Sequence, residues 1–275
     1  MLPIEVKQQV MRDIEARMGW PAGGAAGMRT WLGLPDPNNP PAPYVLASAA
    51  HDLPARQPTR SLVIATDYRS GSTLLADGLA GAGGYGIPLE YLQAGTRERR
   101  FARFPATSDR DYLDAVMAAR TSASGVFGIK LFWPEASGLT ALPDPLIVWL
   151  RRDDVVAQAV STWTALVSGE WRTTMPSEPD VPYDAPRLTA LVAMHTHHDE
   201  AWRSALREIP HIELTYEQLS ADPVMAMTGL VTVLTQQGMA PDGPVMPPRL
   251  ARQAGRTSTL LADRLRRDLM RSYPT

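Results

Sequence analysis

The sequence predicts an α/β protein in which helices cover both faces of a central, mainly parallel sheet, a P-loop-like three-layer αβα sandwich. Two strand–turn–helix units carry the prediction: residues 61–80 (SLVIATDYRSGSTLLADGLA) and 145–171 (PLIVWLRRDDVVAQAVSTWTALVSGEW). In each, a short apolar run ends in a polar turn and continues with apolar residues at helical spacing. Elsewhere strand-like and helix-like runs also alternate, the pattern a parallel sheet needs because its crossovers are helices.

The first unit has the geometry that cradles phosphate. The strand Leu62–Ala65 meets the turn Asp67-Tyr68-Arg69-Ser70-Gly71, and a helix opens with Ser72 and Thr73 in its first turn. Unpaired N–H groups at a helix start point at an anion, and the helix dipole adds positive potential. Gly71 permits close backbone approach, Arg69 offers a planar donor fork, and the hydroxyls of Ser70, Ser72 and Thr73 add donors. No lysine precedes the Ser-Thr pair, so the pattern GxxxxGK[ST] is absent. The loop therefore suits a 5′-phosphate-type group better than a magnesium-bound triphosphate. The alternative for this stretch in isolation is an ordinary βα turn with a Ser/Thr helix cap.

Composition narrows the function class. A chain of 275 residues can bury one large core. A net charge of −2 and a pI near 6.2 give no global field for nucleic acid or an anionic membrane, so an anion site must be local. With no cysteine, disulfides, zinc–thiolate sites and thiol catalysis are excluded. No run of about 18 apolar residues occurs, and the segment after Met1 is amphipathic instead of apolar. The expectation is a cytoplasmic protein with no stable membrane insertion.

Along the chain, residues 3–18 read as a helix with an apolar stripe of Ile4, Val10, Met11, Ile14 and Met18, followed by a glycine break and a proline-rich connector. Residues 1–60 thus form an N-terminal helix and extension, and residues 61–275 the main domain. After the first unit, Glu90 follows closely enough to return to the same end of the sheet, although a lone glutamate is ordinarily a solvated one. Arg97, Arg99, Arg100 and Arg103 read as a solvated helix face. In the strand VFGIKLFW (126–133), alternation puts Phe127, Ile129 and Leu131 on one side and Gly128 with Lys130 on the other. Lys130 then either meets an anion at a cleft or snorkels to water at the strand end.

In the second unit Arg151-Arg152 sit at the strand's carboxyl end and Asp153-Asp154 cap the helix. Val156, Ala159, Val160, Trp163 and Val167 form its buried stripe, with Asp154, Gln158, Ser161 and Ala165 opposite. Arg152 and Ser161 then face a ligand outside the strand ends, where open parallel sheets bind ligands. Residues 172–186 are long enough for a lid. The triplet His195, His197, His198 lacks a metal-binding motif and reads as a surface cluster. A strand at 211–216, a helix near 223–236 and a basic C-terminal helix follow.

RSGSTLL after a strand, LEY soon after it, GIKLFW, RRDDVVAQAVSTW and a late RQA…DRLRRD, in this order over residues 61–268, resemble the bacterial Stf0-type sulfotransferases. That resemblance implies the PAPS sulfotransferase fold, no metal, and a possible homodimer. By position it implies that Arg69, Ser70, Gly71, Ser72 and Thr73 surround the 5′-phosphosulfate, that Arg152 and Ser161 hold the 3′-phosphate, and that the Arg252 region closes over the nucleotide. Glu90 matches the family's proposed general base. Asp67-Tyr68 stand where the family usually has a small polar residue followed by Pro, Thr or Gln. A carboxylate there must be neutralised by Arg69 or another base, or face away.

The expected reaction moves a sulfuryl group from PAPS to a hydroxyl of a carbohydrate, glycolipid or other small molecule, leaving adenosine 3′,5′-bisphosphate. Glu90 takes the proton; Arg69, the loop N–H groups and Lys130 stabilise charge. The alternatives are a kinase on the same loop geometry and a non-catalytic nucleotide-binding module. Against the kinase stands the missing loop lysine.

Overall fold

The computed structural model describes residues 1–21, 24–35, 49–93, 103–171, 181–247 and 255–274. Four strands, β1 (Arg60–Thr66), β2 (Val126–Phe132), β3 (Pro145–Arg151) and β4 (His211–Thr215), form one sheet in the order β2-β1-β3-β4, every pair parallel. β1, β2 and the middle of β3 are largely apolar and buried on both faces, as a covered parallel sheet requires, whereas the edge strand β4 is only half-buried.

Helices supply the outer layers. On one face Leu62, Ile64, Val148 and Leu150 pack against α3 (Ser72–Ala82) and α8 (Pro223–Gln236). On the other, Val63, Ala65, Ile129, Ile147 and Trp149 meet α4 (Asp109–Arg120) and the end of α6 (Ala185–Ala205). The predicted three-layer α/β architecture is therefore present. The short α7 (Tyr216–Ala221) follows β4 directly, closed by a capping box between Thr215 and Gln218.

A third cluster stands against the carboxyl ends of β1 and β2. It joins α1 (Ile4–Met18), α2 (Gly24–Trp31), α5 (Val155–Ser168), α6 and α9 (Arg256–Ser272) around Tyr68, Phe132 and Trp163. The N-terminal arm thus packs on its own chain. The stripe of α1 differs from the expected one: Val6, Val10 and Ile14 are buried, whereas Ile4 and Met18 are exposed. The i, i+4, i+8 row wins because α6 covers only a narrow band of so short a helix. On α5, Val167 is likewise exposed and Gln158 and Ala165 are buried. Helices on more than one side enclose α5, so a single-stripe reading fails there.

Chain order places β1 between its two successors, since the chain runs from β1 to β2 on one side and crosses to β3 on the other. This switch point opens a crevice between the ends of β1 and β3, where the loop after Thr66 and the Arg151-Arg152 turn emerge. Among the described residues no helix is long and apolar enough to cross a membrane.

Candidate active site

Helix α3 starts without a side-chain cap: its N-cap is Gly71, at φ +88°. Helices α4 to α8 each carry a Ser, Asp or Thr cap, so α3 is left with bare N–H groups at the crevice. The Ser/Thr-cap alternative therefore does not hold. Glycine is needed twice over at position 71. The left-handed conformation disfavours a side chain, and a Cβ would lie 2.8 Å from Tyr216 Cδ2.

Ser70 is fully buried and braces the loop from within. Its hydroxyl donates to Asp67 O at 2.8 Å and lies 2.5 Å from Thr66 Oγ1. Arg69 is a non-glycine residue at φ +61°. Its guanidinium reaches sideways to α5, with Nε donating to Ser161 Oγ at 3.0 Å and Nη1 to Trp171 O at 2.7 Å. Arg152 Nη1 donates to Arg69 O at 3.1 Å, and its guanidinium lies 4.3 Å above the Tyr216 ring. Arg69, Arg152 and Ser161 therefore meet in one basic, half-buried group. Burial, then the Arg152 charge, pushes the Arg69 pKa down to about 10. Two cations held this close suit a multiply charged anion between them.

A second group forms at the end of β2. Gly128 lets residues 85–90 lie across this strand: a Cβ there would meet Tyr85 O at 2.4 Å and Pro88 Cγ at 2.8 Å. The crossing segment bridges in parallel fashion, Leu89 to Ile129, with Lys130 N donating to Leu89 O at 2.9 Å. Glu90 is thereby delivered to Lys130, whose buried ammonium lies 2.6 Å from Glu90 Oε1 and 3.3 Å from Thr73 Oγ1. Of the two readings of Lys130, the anion partner is the one realised. Thr73 ties this pair to the first turn of α3.

Asp67 is held by α6. Its neutralising bases are His195 and His198, not Arg69: Oδ2 lies 2.5 Å from His195 Nδ1 and Oδ1 2.9 Å from His198 Nδ1. Burial alone would raise this carboxyl, but the two imidazoles bring it well below the usual carboxylate range. The histidine triplet is accordingly not a surface cluster. His195 and His198 are buried, and His197 stacks on Trp20 at 4.4 Å. The signal was present in the i, i+3 spacing of His195 and His198, which shares a helix face. Tyr216, at the end of β4, is a further crevice residue the motif reading passed over. Arg252, Arg97, Arg99, Arg100 and residues 172–180 of the expected lid lie outside the described residues, while Arg103 pairs with Asp52. Among the described residues no group of three metal-ligating side chains occurs.

A profile of the Stf0 sulphotransferases matches residues 139–268. The chain is 30% identical over 270 residues to trehalose 2-sulfotransferase of Mycolicibacterium smegmatis, covering 78% of this chain and 97% of that protein. The chain belongs to the Stf0 sulfotransferase family. This sulfotransferase is also 27% identical over 259 residues to the trehalose 2-sulfotransferase of Mycobacterium tuberculosis, covering 76% of this chain and 95% of that one. Among solved structures, the sulfotransferase domain of a Synechococcus olefin synthase matches with TM-score 0.42 at 18% identity, covering 78% of this chain and 90% of that one. A sulfotransferase from Alicyclobacillus acidocaldarius matches with TM-score 0.44 at 13% identity, covering 79% and 96%.

Proposed function

We propose that this sulfotransferase uses PAPS as donor and a carbohydrate hydroxyl as acceptor, with Glu90 as general base. The observation that carries the donor reading is the meeting of Arg69, Arg152 and Ser161 beside the uncapped start of α3. One anion site at a helix start and a second among two arginines suit a nucleotide with phosphates at both ends. The residues present thus fit PAPS: N–H groups of Gly71 to Thr73 for the 5′ side, and Arg69, Arg152 and Ser161 for the 3′-phosphate, with Arg252 assigned to the same nucleotide by resemblance. Tyr216 offers an aromatic face beside them. PAPS, when bound, supplies the activated sulfuryl group.

The chain's own contribution is positioning and charge. Glu90, a carboxylate in its ion pair, accepts the proton of the acceptor hydroxyl at Oε1 or Oε2. Lys130 holds that carboxylate in place and sets a positive charge between it and Thr73. The first-turn N–H groups stabilise negative charge that builds on the 5′, leaving side, while Arg69 stays with Arg152 and Ser161 at the 3′ end. In this reading residues 61–275 carry the transferase machinery and helices α1 and α2 brace it. Both relatives are named for sulfation of trehalose, so a disaccharide is the first acceptor to test.

Isothermal titration with adenosine 3′,5′-bisphosphate, 5′-AMP and MgATP tests the donor. Tight binding of the bisphosphate with much weaker AMP is expected; no preference among the three removes PAPS from the reading. Transfer of labelled sulfate from PAPS to trehalose, set beside glucose and a panel of small alcohols, tests the acceptor.

A further inference from the structure

The backbone between β1 and α3 is held from outside at three successive residues. Trp202 Nε1 donates to Thr66 O at 2.9 Å, His195 and His198 engage both oxygens of Asp67, and Gln158 Nε2 donates to Tyr68 O at 2.8 Å. All four contacts come from α5 and α6, which bury these side chains almost completely. His195 is the centre of the arrangement. Its Nε2 lies 2.9 Å from Thr162 Oγ1, whose hydroxyl donates to Gln158 O at 3.1 Å. With Nδ1 on Asp67 and Nε2 on Thr162, both ring nitrogens of His195 are engaged and the ring is fixed between α5 and the loop.

The next residue along the chain is Arg69. A non-glycine residue in the left-handed region costs on the order of 1 kcal/mol or more and persists where its surroundings over-determine it. The held residues 66–68 are that surrounding. Their outcome is the placement of both halves of Arg69, the guanidinium against Ser161 and the carbonyl against Arg152.

We propose that His195 and His198 are positioning residues for the donor loop. Through Asp67 they fix the strand-to-loop backbone, which sets Arg69 in its left-handed conformation and so pre-forms the arginine pair that receives the nucleotide's 3′-phosphate. This inference rests on the donor reading above. Stability alone is a poor account of the cluster, because buried ionic groups are often replaced by apolar residues of similar volume without loss of stability. An apolar replacement keeps the packing and loses the directional hold on Asp67.

The test compares His195→Leu, His195→Asn and Asp67→Asn with Val192→Ala, a buried residue of α6 one turn before His195. Each is titrated with adenosine 3′,5′-bisphosphate and with 5′-AMP, and its melting temperature is recorded. His195→Leu is expected to weaken bisphosphate binding about tenfold or more while AMP binding changes less than about threefold, because pre-organisation is lost only at the arginine pair. In turnover assays the donor KM rises and the acceptor KM does not. His195→Asn, which keeps a donor near the Nδ1 position, recovers most of the loss. Val192→Ala lowers the melting temperature with an unchanged bisphosphate-to-AMP ratio. Should His195→Leu fail to fold, the near-isosteric Asp67→Asn is expected to shift that ratio in the same direction. A wild-type ratio in the folded variants, or an equal shift in Val192→Ala, overturns the inference alone. A wild-type protein without preference for the bisphosphate overturns the donor reading and the inference with it.

Discussion

The Lys130 ammonium lies 2.6 Å from Glu90 Oε1 on a side chain with no solvent exposure. Removing one member of a buried pair leaves the other charge uncompensated, at a cost of about 3–5 kcal/mol. The pair is therefore best probed by a change that keeps an acceptor. Glu90→Gln can still accept from Lys130 and cannot take a proton. Its kcat is expected to fall about 10²–10⁴-fold, with bisphosphate affinity near wild type. Steady-state kinetics beside calorimetry checks this, and an unchanged kcat would remove Glu90 from the base role.

In the proposed donor mode Ser161 and Arg152 hold the opposite end of the nucleotide. Ser161→Ala and Arg152→Ala are expected to weaken bisphosphate binding about 10–100-fold, the scale of one or two charge-assisted hydrogen bonds. AMP lacks the 3′-phosphate, and its affinity should change far less. Parallel losses for both nucleotides would place these residues somewhere other than a 3′-phosphate site.

Gly71→Ala meets two obstacles, the left-handed backbone at φ +88° and the 2.8 Å approach to Tyr216. A loss of about 1–3 kcal/mol in stability is expected, together with loss of nucleotide binding. Adding Tyr216→Ala relieves the contact but not the conformation. The double variant should thus regain only part of the stability, as denaturant melts would show.

Asp67 links the fold to acid. Its carboxyl titrates below its unfolded value of about 3.9, so the stability it contributes is complete above that value and is lost as pH falls through the folded pKa. Wild type should therefore melt well above Asp67→Asn at neutral pH. Below about pH 4 the gap should begin to narrow, because the unfolded chain takes up the proton first, and it should close only as pH falls through the folded pKa. A constant gap across that range would show that the carboxylate charge contributes nothing.

Local signals were enough for the layered α/β fold, because a covered parallel strand is a continuous apolar run and the helices between strands keep an apolar stripe. SLVIAT, GIKLF and PLIVWL announce their strands in this way, and Asp154 and Asp222 announce helix starts. Arg69, Arg152 and Lys130 stand after or near a strand's carboxyl end, where a parallel sheet gathers its ligand groups, whereas Ser161 lies in the middle of α5 and Glu90 on the segment that crosses β2.

Partners far apart in the chain were a different matter. Nothing near Asp67 in sequence tells that α6, some 130 residues on, brings His195 and His198 to it, and no periodicity separates a buried histidine from a solvated one. Arg69 was legible as a residue of the turn after β1, yet nothing local tells that its side chain turns to Ser161, 92 residues on. Burial of Val6 instead of Ile4 likewise depends on how α6 lies across α1. Strand and helix follow from neighbours within one turn or one pleat. Charge pairing, loop conformation and the covered face of a helix follow from long-range packing, which alone sets distances and excludes water.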